Sequence, residues 1–184
     1  AESVLQQAFH TWGPEAELTI VGLSMGGIAA MECARLFPLR VKGLALLDTN
    51  AMDESQDISD RRTQMVDRAG RIGIGSMVKH ELLPNLLHPK ALDNEHLREL
   101  MVSMAEESGI ERYHRHAEAL ASRPDYSGVL RQFDGPAVII AGADDSLCPP
   151  PRQHHLQSCL PQADLHFLGE CGHISTLEKP GRLA

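Results

Sequence analysis

The chain has 184 residues, 42% of them hydrophobic and 23% charged, and its 25 acidic against 17 basic side chains give a net charge of −8. That length fits one domain around one core, and the composition excludes wholesale disorder. The acidic balance argues against nucleic-acid binding, which needs a basic surface, and no apolar stretch approaches the roughly 20 residues that cross a bilayer.

Taken in chain order, the first zone, roughly residues 1–50, alternates helix and strand. A helix is expected over about Ala1–Thr11. Leu18-Thr-Ile-Val-Gly22 is a short apolar, β-branched run followed at once by glycines, which reads as a buried strand. The alanine-rich segment from Met25 to about Phe37 reads as a helix closed by Pro38, and Val41–Leu47 as a second buried strand ending at Asp48. Buried strands that alternate with helices imply a parallel sheet, because parallel neighbours need crossover connections.

The second zone, roughly 51–130, loses the apolar runs and gains charge. Leu97, Leu100, Met101, Met104 and Ala105 share one helical face after the opening Asp93-Asn94, and Ile110, Tyr113, Ala117, Leu120 and Ala121 repeat the pattern up to Pro124. An earlier pair, about Asp60–Ile72 and Ser76–Leu83, is separated by a loose Gly70–Gly75 region. An all-helical insertion of about four helices is expected, with Met65, Met77, Met101 and Met104 as core filler or as a pliable lining for an apolar ligand.

The third zone, roughly 131–184, returns to strand and helix, with strands over Pro136–Ala141 and Asp164–Leu168 and the loop Gly169–His173 after the last of them. The four cysteines, Cys33, Cys148, Cys159 and Cys171, lie far apart without a CxxC spacing. They fit free thiols of a reducing, cytoplasmic compartment better than a disulfide framework or a zinc site.

The chemistry concentrates in Gly22-Leu23-Ser24-Met25-Gly26-Gly27. A G-x-S-x-G run between a buried strand and a helix makes a sharp turn that lifts the serine hydroxyl off the sheet edge. Side chains at Gly22 or Gly26 are expected to collide with neighbouring backbone. A serine hydroxyl is a weak nucleophile without a base, itself oriented by a carboxylate. Chain order Ser…Asp…His places the partners in Gly142-Ala-Asp144-Asp145-Ser-Leu-Cys-Pro149 after the third strand and Gly172-His173 after the fourth. Both follow the carboxyl end of a strand, where open α/β sheets bind ligands. The other histidines, among them His10, His80, His88, His96, His114, His116, His154 and His155, read as surface or packing residues without metal-ligand spacing to carboxylates.

These residues carry a family resemblance. G-L-S-M-G-G, L-L-D after the next strand, a helical insertion, G-x-x-D-x-x-x-P and C-G-H together resemble an α/β-hydrolase-fold serine hydrolase of the lid-bearing esterase type. The resemblance implies an α/β fold with a mostly parallel sheet, of which this chain supplies the last four of eight strands. It divides the chain into core (1–50), helical lid (51–130) and core (131–184). It also implies Ser24 as nucleophile, His173 as general base and then acid, and Asp145 as its partner, with the Met25 N–H as an oxyanion donor. Asp144 reads as a solvated or turn-capping neighbour, and Asp48 occupies a position that serves as the acid in some relatives. The early strands and the His-Gly type loop that gives the other oxyanion N–H are not in these residues, so a longer parent chain is expected to be needed for full activity.

The implied activity is cleavage of a small to medium carboxylic ester through an acyl-enzyme, without cofactor or metal. Carbon–carbon hydrolysis of a diketone, acyl transfer and perhydrolysis use the same three groups, and a hydrolase-fold small-molecule receptor is the non-enzyme alternative.

Overall fold

The computed structural model describes residues 1–183. Helix α1 (Glu2–Trp12) leads into strand β1 (Leu18–Leu23), helix α2 (Met25–Leu36) and strand β2 (Val41–Leu47). A helical segment follows, made of α3 (Gln56–Ile72), α4 (Ile74–Met77), a π-helical turn (Val78–Leu82), α5 (Leu83–Leu86) and a 3₁₀ turn (Pro89–Asp93). It continues through α6 (Glu95–Ser108), α7 (Ile110–Ala121) and the short α8 (Ser127–Leu130). The chain then returns to β3 (Ala137–Gly142), α9 (Pro150–Cys159) and β4 (Asp164–Leu168), and closes with α10 (Ser175–Glu178) and α11 (Pro180–Leu183).

The four strands are parallel and lie in the order β1-β2-β3-β4. Their register pairs Leu23 with Leu47, Leu47 with Ile140 and Gly142 with Leu168, so all four carboxyl ends reach one edge of the sheet. Every loop that carries a candidate residue starts there.

Two cores form. The larger packs Leu44, Leu46 and Ile139 of the central strands against Met31 of α2, Leu130 of α8, Leu156 of α9 and Leu5 of α1. The smaller joins Val78, Leu83, Leu87 and Leu97 within the helical segment, and Ile174 and Leu177 of the chain after β4 pack against it.

Several expectations need correction. Val21 in β1 is 68% exposed and Thr19 is exposed too, so this strand is buried on one face only, unlike β2. The glycines near residue 72 do not make a loose loop: α3 runs through Gly70, and only Gly73, at φ 86°, breaks the helix. The expected helix Ser76–Leu83 is three short pieces spanning Ile74–Leu86, and a last helix closes the chain at Pro180–Leu183 where no element was expected. Of the four methionines, Met77 is fully buried whereas Met104 is 52% exposed, so they do not act as one lining.

Candidate active site

Ser24 follows β1 directly and is the N-cap of α2, with φ 51° and ψ −115°. A side chain in that region of backbone space is strained and persists only where the surroundings enforce it. They do so here. Ser24 N–H donates to Leu47 O at 2.8 Å, and Ser24 O accepts from Gly27 N–H, Ile28 N–H and the Thr49 hydroxyl at 2.9, 3.1 and 2.8 Å. A Cβ at Gly22 would lie 2.2 Å from Gly26 O, which explains that glycine sterically. Gly26 is different: nothing lies within 4 Å of a Cβ built there, so the expected collision does not exist. The tight position is Gly27, whose Cβ would sit 2.6 Å from the Thr49 side chain. The Met25 N–H begins the helix, where backbone donors lack an intrahelical acceptor and are suited to a developing oxyanion.

The acid and histidine loops pack directly against each other. Ala143 N–H donates to Leu168 O and Asp144 N–H to Cys171 O, while a Cβ at Gly142 would lie 2.0 Å from Gly172 O. Asp145 is buried; its Oδ1 accepts from Leu147 N–H at 2.8 Å and Cys148 N–H at 2.9 Å, which leaves Oδ2 for His173 Nδ1 at 2.8 Å. His173 Nε2 stands 2.7 Å from Ser24 Oγ. A carboxylate only accepts, so the Nδ1 proton belongs to the imidazole and Nε2 is free to accept from the serine hydroxyl. The structure therefore brings Ser24, His173 and Asp145 into one hydrogen-bonded line across 149 residues of chain.

The alternative carboxylates lie elsewhere. Asp144 is half-exposed and faces His88 at 3.7 Å. Asp48 is fully buried but bonds Gly142 N–H at 2.8 Å and the Ser175 hydroxyl, not the imidazole. Burial pushes its carboxyl up to about 6, and the Asp145 charge adds to this; the bonds from Ser175 and Gly142 and the nearby His173 pull the other way. The other histidines serve locally. His88 accepts from Lys90 N–H through Nδ1, and His155 Nε2 lies 3.0 Å from Ser127 Oγ. That second Ser–His pair sits on a buried serine of a four-residue helix.

Asp145, Cys148 and His173 place one ligand atom each within 4.8 Å, a grouping that separation along the chain does not reveal. They fit a metal poorly. Both Asp145 oxygens already accept hydrogen bonds, and burial raises the Cys148 thiol to about 11, far from the thiolate a metal requires. All four cysteines are free and buried, and among the described residues no helix is long and apolar enough to cross a membrane. A groove of about 480 Å³ runs between α3 and α7 past Val66 and His114, and none of its lining residues belongs to the line of three.

The geometry has counterparts in known proteins. Residues 13–180 match the family described as alpha/beta hydrolase fold, and the chain belongs to that family. It is similar to a 2-hydroxymuconate semialdehyde hydrolase of Pseudomonas putida, 27% identical over 174 residues that cover 90% of this chain and 59% of that protein. A 2-hydroxy-6-oxononadienedioate/2-hydroxy-6-oxononatrienedioate hydrolase of Burkholderia vietnamiensis is 30% identical over 173 residues, covering 89% of this chain and 58% of that one. Among solved structures, a thermophilic esterase from Thermogutta terrifontis superimposes with a TM-score of 0.88 at 27% identity, over 97% of this chain and 66% of that one. The chain thus spans just under three-fifths of the length of these two curated relatives.

Sequence reasoning missed the groups behind the line of three. Thr49, Asn50 and Glu178 each bond a loop that carries Ser24, Asp145 or His173, and Ser175, two residues after His173, donates to Asp48. The sequence signal for Thr49 and Asn50 is a polar triplet, Asp48-Thr49-Asn50, at the end of an apolar strand.

Proposed function

We propose that the chain carries the catalytic centre of a serine hydrolase that attacks a carbonyl and passes through an acyl-enzyme. The carrying observation is the continuous line from Ser24 Oγ through His173 to Asp145, at 2.7 and 2.8 Å. His173 Nε2 takes the Ser24 proton as Oγ adds to the carbonyl carbon, and Asp145 holds the tautomer and steadies the imidazolium. The Met25 N–H, at the start of α2, meets the oxyanion. His173 then returns the proton to the leaving group, and a water repeats the sequence to free Ser24. Residues 51–130 act as a lid over the sheet edge, and their apolar Leu and Met side chains suit a small to medium acyl or alkyl group. No cofactor enters these steps.

Cleavage of a carboxylic ester is the first reading, supported by the similarity to the Thermogutta terrifontis esterase. A second reading, hydrolysis of a carbon–carbon bond beside a ketone, is favoured by the two curated relatives, whose names denote a semialdehyde and oxo-diacids rather than esters. Fluorophosphonate labelling of the full-length protein tests the common step. Mass mapping should find the adduct on Ser24, and Ser24→Ala and His173→Ala should abolish it. An unlabelled, well-folded protein would remove the enzyme reading in favour of a ligand-binding one. Turnover of p-nitrophenyl esters against vinylogous 1,5-diketones then separates the two readings.

A further inference from the structure

Asp48 is a fully buried carboxylate in the site region to which the reaction gives no part, and its surroundings are costly. Its backbone is left-handed at φ 45°, and none of its polar partners is a Lys or Arg. An asparagine could accept from Gly142 and donate to Ser175 with a smaller desolvation penalty. The two other non-glycine residues with positive φ among the described residues are Ser24 and Glu170, which also follow carboxyl ends of strands in the loops of the site. Strain of this kind points to a requirement of the site rather than of the core.

Resting on the hydrolase reading above, we infer that Asp48 is a positioning residue. Its ionised carboxylate locks the acid loop to the histidine loop from beneath and supplies a second negative charge behind the His173 imidazole. The atoms support both parts. Oδ1 holds Gly142 N–H, three residues before Asp145, and Oδ2 holds the Ser175 hydroxyl, two residues after His173. The next residues extend the clamp: the Thr49 hydroxyl donates to Ser24 O at 2.8 Å, and Asn50 Nδ2 to Cys148 Sγ at 3.5 Å. Three consecutive residues after β2 thereby hold all three loops of the site. The titratable groups that face Asp48 are His173, Asp145, Cys148 and Cys171, and burial keeps both thiols neutral, at about 11 and about 12. The charge of Asp48 therefore acts chiefly on the imidazole and on Asp145. With its own carboxyl raised to about 6, Asp48 gains a proton on the acid side of neutrality, and the charge behind His173 is lost there.

The test compares pH–rate profiles of the wild type, Asp48→Asn and Ser175→Ala in the full-length protein, with active sites counted by fluorophosphonate adduct on Ser24. In the wild type the acid limb of log kcat/KM should be steeper than one proton, because the general base must be unprotonated and the Asp48 carboxyl must be ionised as well. Asp48→Asn, already neutral, should show a one-proton limb and a kcat lower by roughly tenfold to a hundredfold at pH 8. KM should stay within about twofold, since no substrate contact is removed. Ser175→Ala cuts one arm and keeps the charge, so it should lower kcat less and keep the steep limb; it also serves if Asp48→Asn does not fold. Wild-type kcat and an unchanged limb in Asp48→Asn, or in its absence wild-type kcat in Ser175→Ala, would overturn the inference. Absence of a Ser24 adduct in the wild type overturns the hydrolase reading itself, a separate result.

Discussion

Two glycines four residues apart in one turn meet different fates. Gly22 faces the Gly26 carbonyl so closely that a methyl cannot enter, whereas Gly26 faces open space at an ordinary φ within the first turn of α2. Gly22→Ala should cost about 3 kcal/mol or more in urea unfolding. Gly26→Ala should be neutral or stabilise by up to ~1 kcal/mol, through lost freedom of the unfolded chain. Equal losses in both would show that the turn itself, and not contact with Gly22, demands glycine. Asp48 supports a prediction of another kind. Its folded-state carboxyl lies near 6 against an ordinary value of 3.8, so between those pH values the folded chain binds a proton that the unfolded chain has released. Its contribution to stability accordingly falls as pH rises through that window and stays low above it. Asp48→Asn removes the proton, so the stability of wild type minus variant should drop by on the order of 2–3 kcal/mol from pH 4 to pH 7. A difference that stays flat across those pH values would show that Asp48 titrates normally.

The helical segment is fastened to the histidine loop at one place. His173 N–H donates to Leu86 O at 2.8 Å, and Glu178 takes Gly172 N–H at 3.0 Å and His88 N–H at 2.8 Å on its two oxygens. Lys90 also pairs with Glu170, and the Ser146 hydroxyl donates to Asn85 O. Glu178→Gln can satisfy only one of those two amides, and the orphaned one should cost about 1–3 kcal/mol. Hydrogen exchange should then speed up at His88 and Gly172 while the amides of β3 stay protected; unchanged exchange at both would mean that other contacts hold the segment. Leu83, 1% exposed at the centre of the smaller core, should cost about 2–5 kcal/mol on truncation to Ala. Helices α6 and α7 were legible in sequence because their apolar residues recur at helical spacing, and the side chain of Asn94 caps Leu97 N–H as its place before that run implies. The pieces between Ile74 and Asp93 were not. A π-helical turn and a 3₁₀ turn answer to how the segment seats on Gly172, whose Cβ would meet Leu86 O at 2.8 Å and His88 N at 2.7 Å. Contacts across more than 80 residues of chain leave no local periodicity to read.

The sheet explains why the line of three could be named from sequence while its supports could not. Ser24, Asp145 and His173 each stand in a loop at the carboxyl end of a strand, and apolar runs announce strands. Parallel pairing then forces those ends together. Which polar residues behind them touch depends on the register between strands, which composition does not encode. The same pairing leaves β1 with a partner on one side only, and its Thr19 and Val21 point away from the packed face. A half-exposed apolar edge strand is a template for another strand, and charge on it is the usual protection. The 184-residue chain alone should therefore associate with itself as its concentration rises, despite a net charge of −8. Val21→Lys should suppress that association while changing unfolding stability by less than about 0.5 kcal/mol, because the side chain it replaces is mostly in water. Sedimentation velocity of both proteins across a range of concentrations decides the matter. Equal association in the variant would move the contact away from β1, to another exposed apolar side chain such as Phe167 of the other edge strand, β4, or Val4 and Trp12 of α1. A shift to monomer would locate it on β1, the edge strand that turns Val21 to solvent.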